Sequence, residues 1–215
     1  MNEESWLARL QRLALPPTPV VIDGGANKGN VTARLLALLP EARLFAFEPQ
    51  PRLARKLAKR FADDVRVTVC AAALGEQTGQ LTLSVLSRPT LSSLLPPTGI
   101  YEKYAGEPLD VTEYLDVPVT RLDAITSRAD VIKLDVQGYE LPALRGASAL
   151  LANVSAVVAE VARYPLYAGQ ALLPDVEAYL DTFGLALDGV YDLYREASGH
   201  IASGDALFVR RDARS

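Results

Sequence analysis

Ten residues, Val20-Val21-Ile22-Asp23-Gly24-Gly25-Ala26-Asn27-Lys28-Gly29, constrain the fold of this chain more than any other stretch. An apolar run ends on an acid, enters a glycine-rich turn and opens an apolar helical segment from Val31 to Leu39. Glycines tolerate positive φ and place no Cβ in the way, so such a turn lets backbone N–H groups and a helix N-terminus come close to a ligand. A second apolar run, Leu44-Phe45-Ala46-Phe47-Glu48-Pro49, also ends on a carboxylate. An acid at the tip of a second parallel strand stands where a nucleoside's ribose hydroxyls need an acceptor. The two strand ends together describe a site for an adenosine-containing cofactor.

A dinucleotide turn reads G-x-G-x-x-G, and this chain has Gly24, Ala26 and Gly29 in those three places, a partial match. Asp23 argues against NAD, because a carboxylate before the first glycine would meet the negative pyrophosphate. The same carboxylate complements the ammonium and sulfonium charges of S-adenosylmethionine. A turn whose glycines served packing alone would leave Asp23 and Glu48 unexplained.

The rest of the chain alternates strands and helices. Trp6–Leu15 reads as a helix stopped by Pro16 and Pro17, so residues 1–17 are expected to be a helix and linker before a single domain at 18–215. Leu53–Phe61 reads as a helix with a basic solvated face, and Val65–Ala72 as a third buried strand. Leu81, Leu83 and Val85 alternate as in a half-exposed strand. Asp130–Asp135 and Val154–Val161 read as further core strands, with helices over Tyr139–Leu151 and Leu173–Phe183. Leu185–Leu193 and Ala206–Arg210 are expected to close the sheet as an antiparallel pair. This order implies an α/β fold, a mostly parallel sheet with a ligand crevice at its switch point.

Composition narrows the setting. A chain of 215 residues with 49% hydrophobic side chains can bury a substantial core, which excludes a disordered or fibrous architecture. Its net charge of −4 and lack of a long basic run argue against nucleic acid as the main partner. The single cysteine, Cys70, precludes an intramolecular disulfide, favours a reducing compartment and reads as a buried structural thiol. The first residues do not read as a signal peptide, and no apolar run approaches the ~20 residues of a membrane span. The expectation is a soluble, cytoplasmic protein with no membrane partner. Its oligomeric state is not legible.

The segment 87–119 breaks the rhythm. It carries Pro89, Pro96, Pro97, Pro108 and Pro118 with Tyr101, Tyr104 and Tyr114, and shows no clear periodicity. A long insertion of this kind is expected to form a lid or a substrate wall, with Ser92-Ser93-Leu94 near the site. The irregular stretch from Arg163 to Pro174, with Tyr164, Tyr167 and Gln170, follows a core strand and is expected at the same crevice mouth.

A third motif is Val131-Ile132-Lys133-Leu134-Asp135-Val136-Gln137-Gly138-Tyr139-Glu140. Lys133 and Asp135 share one face of the strand, and a buried lysine there requires a carboxylate partner. Asp135, and Glu160 in Val157-Val158-Ala159-Glu160-Val161, would point into the crevice that also holds Asp23. Acids converging from neighbouring strand tips repel unless a proton or a cation intervenes, which favours a site over structural pairing.

The segments VVIDGGANKG, AFEPQP, RLDAI, VIKLDVQGYELPALRGA and VVAEV, in this order, resemble the FkbM family of S-adenosylmethionine-dependent methyltransferases across about residues 18 to 210. The resemblance implies a class I methyltransferase fold with seven strands and a reversed last hairpin. It also implies O-methylation of a hydroxyl on a small metabolite such as a sugar or polyketide. It carries Asp23, Gly24, Gly25, Ala26, Asn27 and Gly29 to the methionine part of the cofactor, and Glu48 with Pro49 to the ribose. Ala71, Ala72 and Ala73 would lie by the adenine. Gln137 departs from the family, which commonly has a glutamate there.

Methyl transfer to an alcohol needs the acceptor oxygen held in line, water excluded and a proton removed by a base or a divalent cation. Asp135 and Glu160 are the leading catalytic candidates, with Asp135 also near the cofactor. Asp205 and the lone His200, in an apparent hairpin turn, are weaker ones. Metal dependence is undecided at this level. A nicotinamide-dependent oxidoreductase and a non-catalytic cofactor-binding module remain as alternatives.

Overall fold

Strands that are apolar on both faces must be covered on both faces, and they form the centre of one sheet. These are β1 (Val20–Gly24), β7 (Val131–Leu134) and β8 (Ala156–Ala162). The computed structural model describes residues 5–105, 108–195 and 201–211. With β2 (Arg43–Phe47), β3 (Val67–Cys70), β9 (Leu185–Arg195) and β10 (Ile201–Arg210), the sheet runs in the order β3-β2-β1-β7-β8-β10-β9. All pairs from β3 to β8 are parallel, and β10 runs antiparallel to both β8 and β9. The order reverses between β1 and β7, which opens a crevice at their carboxyl ends.

Helices cover both faces. On one, α1 (Trp6–Leu10), α2 (Asn30–Leu38) and α3 (Pro51–Arg60) pack Trp6, Leu10, Leu35 and Leu57 against Val21, Leu44, Val131 and Val158. On the other, α5 (Glu140–Arg145), α6 (Ser148–Leu151) and α7 (Leu173–Asp181) pack Leu144, Leu151, Val176 and Leu180 against Ile22, Ile132 and Val157. A salt bridge from Arg9 to Asp188 at 2.9 Å fastens α1 to β9.

Register determines which polar residues meet. Asp23 stands opposite Lys133, and Lys133 opposite Val158. Two residues further along β8, Glu160 pairs with Asp205 of β10. By the period of two, Asp23, Lys133, Glu160 and Asp205 continue the face that packs on α1–α3. A charged layer therefore caps the apolar one at the carboxyl end of the sheet.

Several expectations from the sequence need correction. The insertion at 87–119 is not without regular structure: α4 (Ile100–Ala105) and the ten-residue strand β6 (Val111–Thr120) lie in it. β6 pairs with β5 (Gly79–Leu86) and the short β4 (Ala73–Leu74) in a second sheet of order β4-β6-β5. The third strand is not buried, because β3 is the open edge of the main sheet; Cys70 on it is half-buried and Val65 lies outside it, fully exposed. The helix over Tyr139–Leu151 breaks after Arg145, where Gly146 packs so closely that a Cβ would stand 1.9 Å from the Gly75 carbonyl oxygen. α1 stops at Leu10, short of Leu15. His200 and the side chain of Tyr104 lie outside the described residues.

Candidate active site

The glycine turn after β1 uses its own donors. The N–H groups of Gly25 and Ala26 donate to the Phe47 carbonyl at 3.0 and 2.9 Å, and that of Gly29 donates to Ala26. The Asn27 N–H donates to Glu48 Oε2 at 2.9 Å. The turn therefore sews the tips of β1 and β2 together and leaves few free N–H groups for an anion. Gly25 must be glycine: its φ is 82°, and a Cβ would stand 1.8 Å from the Asp135 carbonyl oxygen. Gly29, at φ 78°, lies against Phe61 and Leu57 of the α3 region, so its role is close packing.

Glu48 sits just past β2 and is 4% exposed. Its two oxygens accept from the N–H groups of Asn27 and Gln50 at 2.9 and 2.8 Å. Burial raises its pKa, and the two backbone bonds oppose that rise. Each carboxylate oxygen retains a second acceptor position.

A cleft opens at the switch point. Gly25, Asn27, Glu48, Pro49, Ala72 and Asp135 line it, as do Phe47, Gln50, Ala73, Leu74, Val136, Gln137 and Tyr139. Leu83 of β5 and Pro89, Thr90, Ser92 and Leu94 of the insertion form its other wall. Asp23, Gly24, Ala26, Gly29 and Glu160 are not among the lining residues. Asp23 lies beneath, 2% exposed, and accepts the Thr32 hydroxyl at 2.5 Å. Burial pushes its pKa up to about 6 against the opposing effects of Thr32 and Lys133.

Behind the cleft lies a network of charges. Lys133 is 2% exposed and donates to Asp205 Oδ1 at 2.7 Å, so the carboxylate partner required by its burial comes from β10. Burial works against its charge, but Asp135, Asp205 and Glu160 outweigh this and hold the ammonium protonated. The Gln137 amide nitrogen lies 2.7 Å from Asp135 Oδ1 and 2.7 Å from Glu160 Oε2. Burial first, and then the neighbouring Asp135, raise the Glu160 pKa well above the usual carboxylate value. Glu140 accepts from the N–H groups of Val136 and Gly138, and burial pushes it up to about 7. The structure thus brings Asp135 and Glu160 against each other and against Gln137, and of the two only Asp135 lines the cleft. Among the described residues no group of three or more His, Cys, Asp or Glu is arranged to hold a metal ion.

The two irregular segments meet over this network. Thr98 N–H donates to the Leu166 carbonyl and Ala168 N–H to that of Pro96, which joins the insertion to the loop after β8. The Tyr167 hydroxyl lies 2.7 Å from the Leu91 carbonyl oxygen and 3.0 Å from Gln137 Oε1. The sequence places Tyr167 at the crevice mouth, but it is 1% exposed and forms part of the wall's support. Glu140 and Thr32 were missed. Glu140 was visible in the quoted motif, whereas nothing in the helix around Thr32 marks it as the partner of Asp23.

This geometry accompanies a family match: the Methyltransferase FkbM domain aligns with residues 23–191, from the first strand's acid into β9. The chain belongs to the FkbM methyltransferase family. The 2-O-methyltransferase NoeI of Sinorhizobium fredii is 28% identical over 181 residues, covering 79% of this chain and 74% of NoeI. The crystal structure of methyltransferase FkbM from Methylobacillus flagellatus superposes with a TM-score of 0.63 at 18% identity. That match covers 96% of this chain but 48% of the other, so the chain spans about half the length of that protein. Magnesium protoporphyrin IX methyltransferase from Synechocystis, solved with bound S-adenosylmethionine, shares the fold at a TM-score of 0.53 and 14% identity, covering 95% and 74% of the two chains. The seven-stranded order with its reversed hairpin is thus a class I methyltransferase sheet. Among the described residues no helix is long and apolar enough to cross a membrane.

Proposed function

We infer that this FkbM methyltransferase transfers a methyl group from S-adenosylmethionine to a hydroxyl oxygen of a small metabolite, such as a sugar or polyketide. The observation that carries the cofactor reading is the glycine turn. The N–H groups of Gly25, Ala26, Asn27 and Gly29 are committed within the chain, so the turn offers little to a pyrophosphate. A buried carboxylate next to it, with open acceptor positions, suits a ribose diol instead. NoeI's name as a 2-O-methyltransferase supports a hydroxyl acceptor.

The residues present fit this cofactor. Glu48 would take the ribose hydroxyls, with Pro49 beside it. Ala72 and Ala73 leave room for the flat adenine against Leu74. Gly25, Asn27 and Asp135 would surround the methionine end. Asp23, Gly24, Ala26 and Gly29 support that end from below, without facing the cleft. When bound, the cofactor supplies an electrophilic methyl on a sulfonium.

The chain's own task is positioning, exclusion of water and removal of one proton. Asp135, the acid on the cleft, accepts the acceptor's hydroxyl proton, and Glu160 and Lys133 set the charge around it. The wall at Pro89, Thr90, Ser92 and Leu94 excludes water and contacts the acceptor. No step here requires a divalent cation. A thermal-shift comparison tests the cofactor choice: S-adenosylmethionine and S-adenosylhomocysteine should raise the unfolding temperature, and NAD should not. Stabilisation by NAD alone would favour an oxidoreductase.

A further inference from the structure

Gln137 lines the cleft two residues after Asp135, and the reaction outlined above gives its side chain no task. Its backbone is left-handed at φ 54°, a conformation that a residue with a side chain keeps only when its surroundings hold it. Ser93 of the insertion supplies part of that hold, donating its hydroxyl to the Gln137 carbonyl at 2.6 Å. The side-chain amide nitrogen reaches Asp135 and Glu160 at 2.7 Å each, and the amide oxygen faces the Tyr167 hydroxyl at 3.0 Å. The reverse orientation would set an amide oxygen against two carboxylates, so chemistry fixes this one.

We propose that Gln137 is a positioning residue. Its two amide protons hold one oxygen of Asp135 and one of Glu160 in a fixed relation, and its two oxygens tie that pair to the insertion through Tyr167 and Ser93. The proposal rests on the methyl-transfer reading and gives it a device for aiming the base. Two carboxylates in contact repel and settle by sharing a proton, and burial together with Asp135 favours that proton on Glu160. A neutral amide that donates one hydrogen to each holds both side chains in place and adds no further charge to the pair. A glutamate at the same position would set a third carboxyl on the same two oxygens, and at least one proton would have to stay to bridge them.

Tyr167 adds the link to the wall. Its single hydroxyl proton has two acceptors within reach, the Leu91 carbonyl in the insertion and the Gln137 amide oxygen. Burial, reinforced by the nearby acids, raises its pKa, so the phenol keeps that proton. The insertion and the acid pair thus compete for one donor, and a displaced wall would also free the Gln137 carbonyl from Ser93. The other groups that face the pair are Lys133 on β7, Asp205 on β10 with Asp192 beyond it, Glu140 at the start of α5, Asp23 on β1 and Tyr101 near Tyr167. Substitution at 137 leaves all of them in place.

The test uses Gln137→Glu and Gln137→Ala in the full chain. In both, the acid-side midpoint of the kcat–pH profile should rise by about one unit, because the amide's hydrogen bonds to the acid pair are lost. KM for S-adenosylmethionine should change less than about threefold, since uniform binding is left intact. A purely structural role would lower the unfolding temperature and scale kcat equally at every pH, with the profile unmoved, and would overturn the proposal. Carboxyl NMR titration of Asp135 and Glu160 in the chain alone reads the same event without turnover. An unchanged titration in both variants also overturns it. A shifted titration in a chain that methylates no hydroxyl would keep the role of Gln137 and sink the acceptor reading instead.

Discussion

Glu48→Ala probes the cofactor site with a magnitude that follows from its surroundings. The carboxylate is buried, accepts two backbone N–H groups at 2.8 and 2.9 Å, and has acceptor positions left for a diol. Two hydrogen bonds from ribose to a charged group are together worth roughly 1.5–3 kcal/mol after exchange with water, or about 10- to 150-fold in affinity. The same substitution leaves the Asn27 and Gln50 N–H groups without partners, yet it also removes a buried charge. The two effects oppose each other, and the stability loss should stay near ~1–2 kcal/mol. Calorimetry should therefore show the loss in S-adenosylmethionine affinity, with urea unfolding showing a still cooperative fold. The ionised form is the acceptor and burial raises its pKa, so wild-type affinity should fall as pH drops through that raised value. The variant should lack this dependence. Unchanged affinity in a folded Glu48→Ala chain would refute the ribose assignment and, with it, the reading of the second strand tip.

Three further outcomes follow from the charged layer and the turn. Lys133→Met leaves Asp205, Asp135 and Glu160 without their cation and should cost about 3–5 kcal/mol in urea unfolding; a loss below ~1 kcal/mol would contradict the pairing. Asp23 and Glu140 have folded pKa values raised by burial to about 6 and about 7, so the fold binds protons that the unfolded chain releases. Stability should therefore rise as pH falls from about 8 toward 5. For Glu140 alone the shift from 4.5 to about 7 corresponds to roughly 3 kcal/mol, which Glu140→Gln should remove from the pH dependence. Gly25→Ala drives a methyl into the Asp135 carbonyl and should lower both unfolding temperature and turnover, whereas wild-type behaviour would deny the close approach of β1 to that loop.

The main sheet was legible because runs such as Val20–Ile22 and Ala156–Val158 are apolar on both faces, and the helices between them fix the parallel order. The second sheet was not read, although β6 carries the signal. Val117 and Val119 turn inward while Thr112, Tyr114, Asp116 and Pro118 turn out, a period of two masked by the prolines on either side. β3 misled in the other direction, since an apolar run at a sheet edge looks the same as one at its centre. For the site, the acids at strand tips were readable as a set. Which of them reaches the cleft was not, because that depends on tertiary partners such as Thr32 beneath Asp23 and Gln137 beside Asp135 and Glu160.

The most direct test of the account is transfer of an isotopically labelled methyl group from S-adenosylmethionine to a panel of sugars and polyketide alcohols, with wild type compared to Asp135→Asn. Wild type should form S-adenosylhomocysteine and labelled O-methyl ether in equal amounts. Asp135→Asn should bind the cofactor normally and turn over about 10²–10⁴-fold more slowly. Label on nitrogen or carbon, or full activity in Asp135→Asn, would contradict a hydroxyl acceptor deprotonated at the tip of β7.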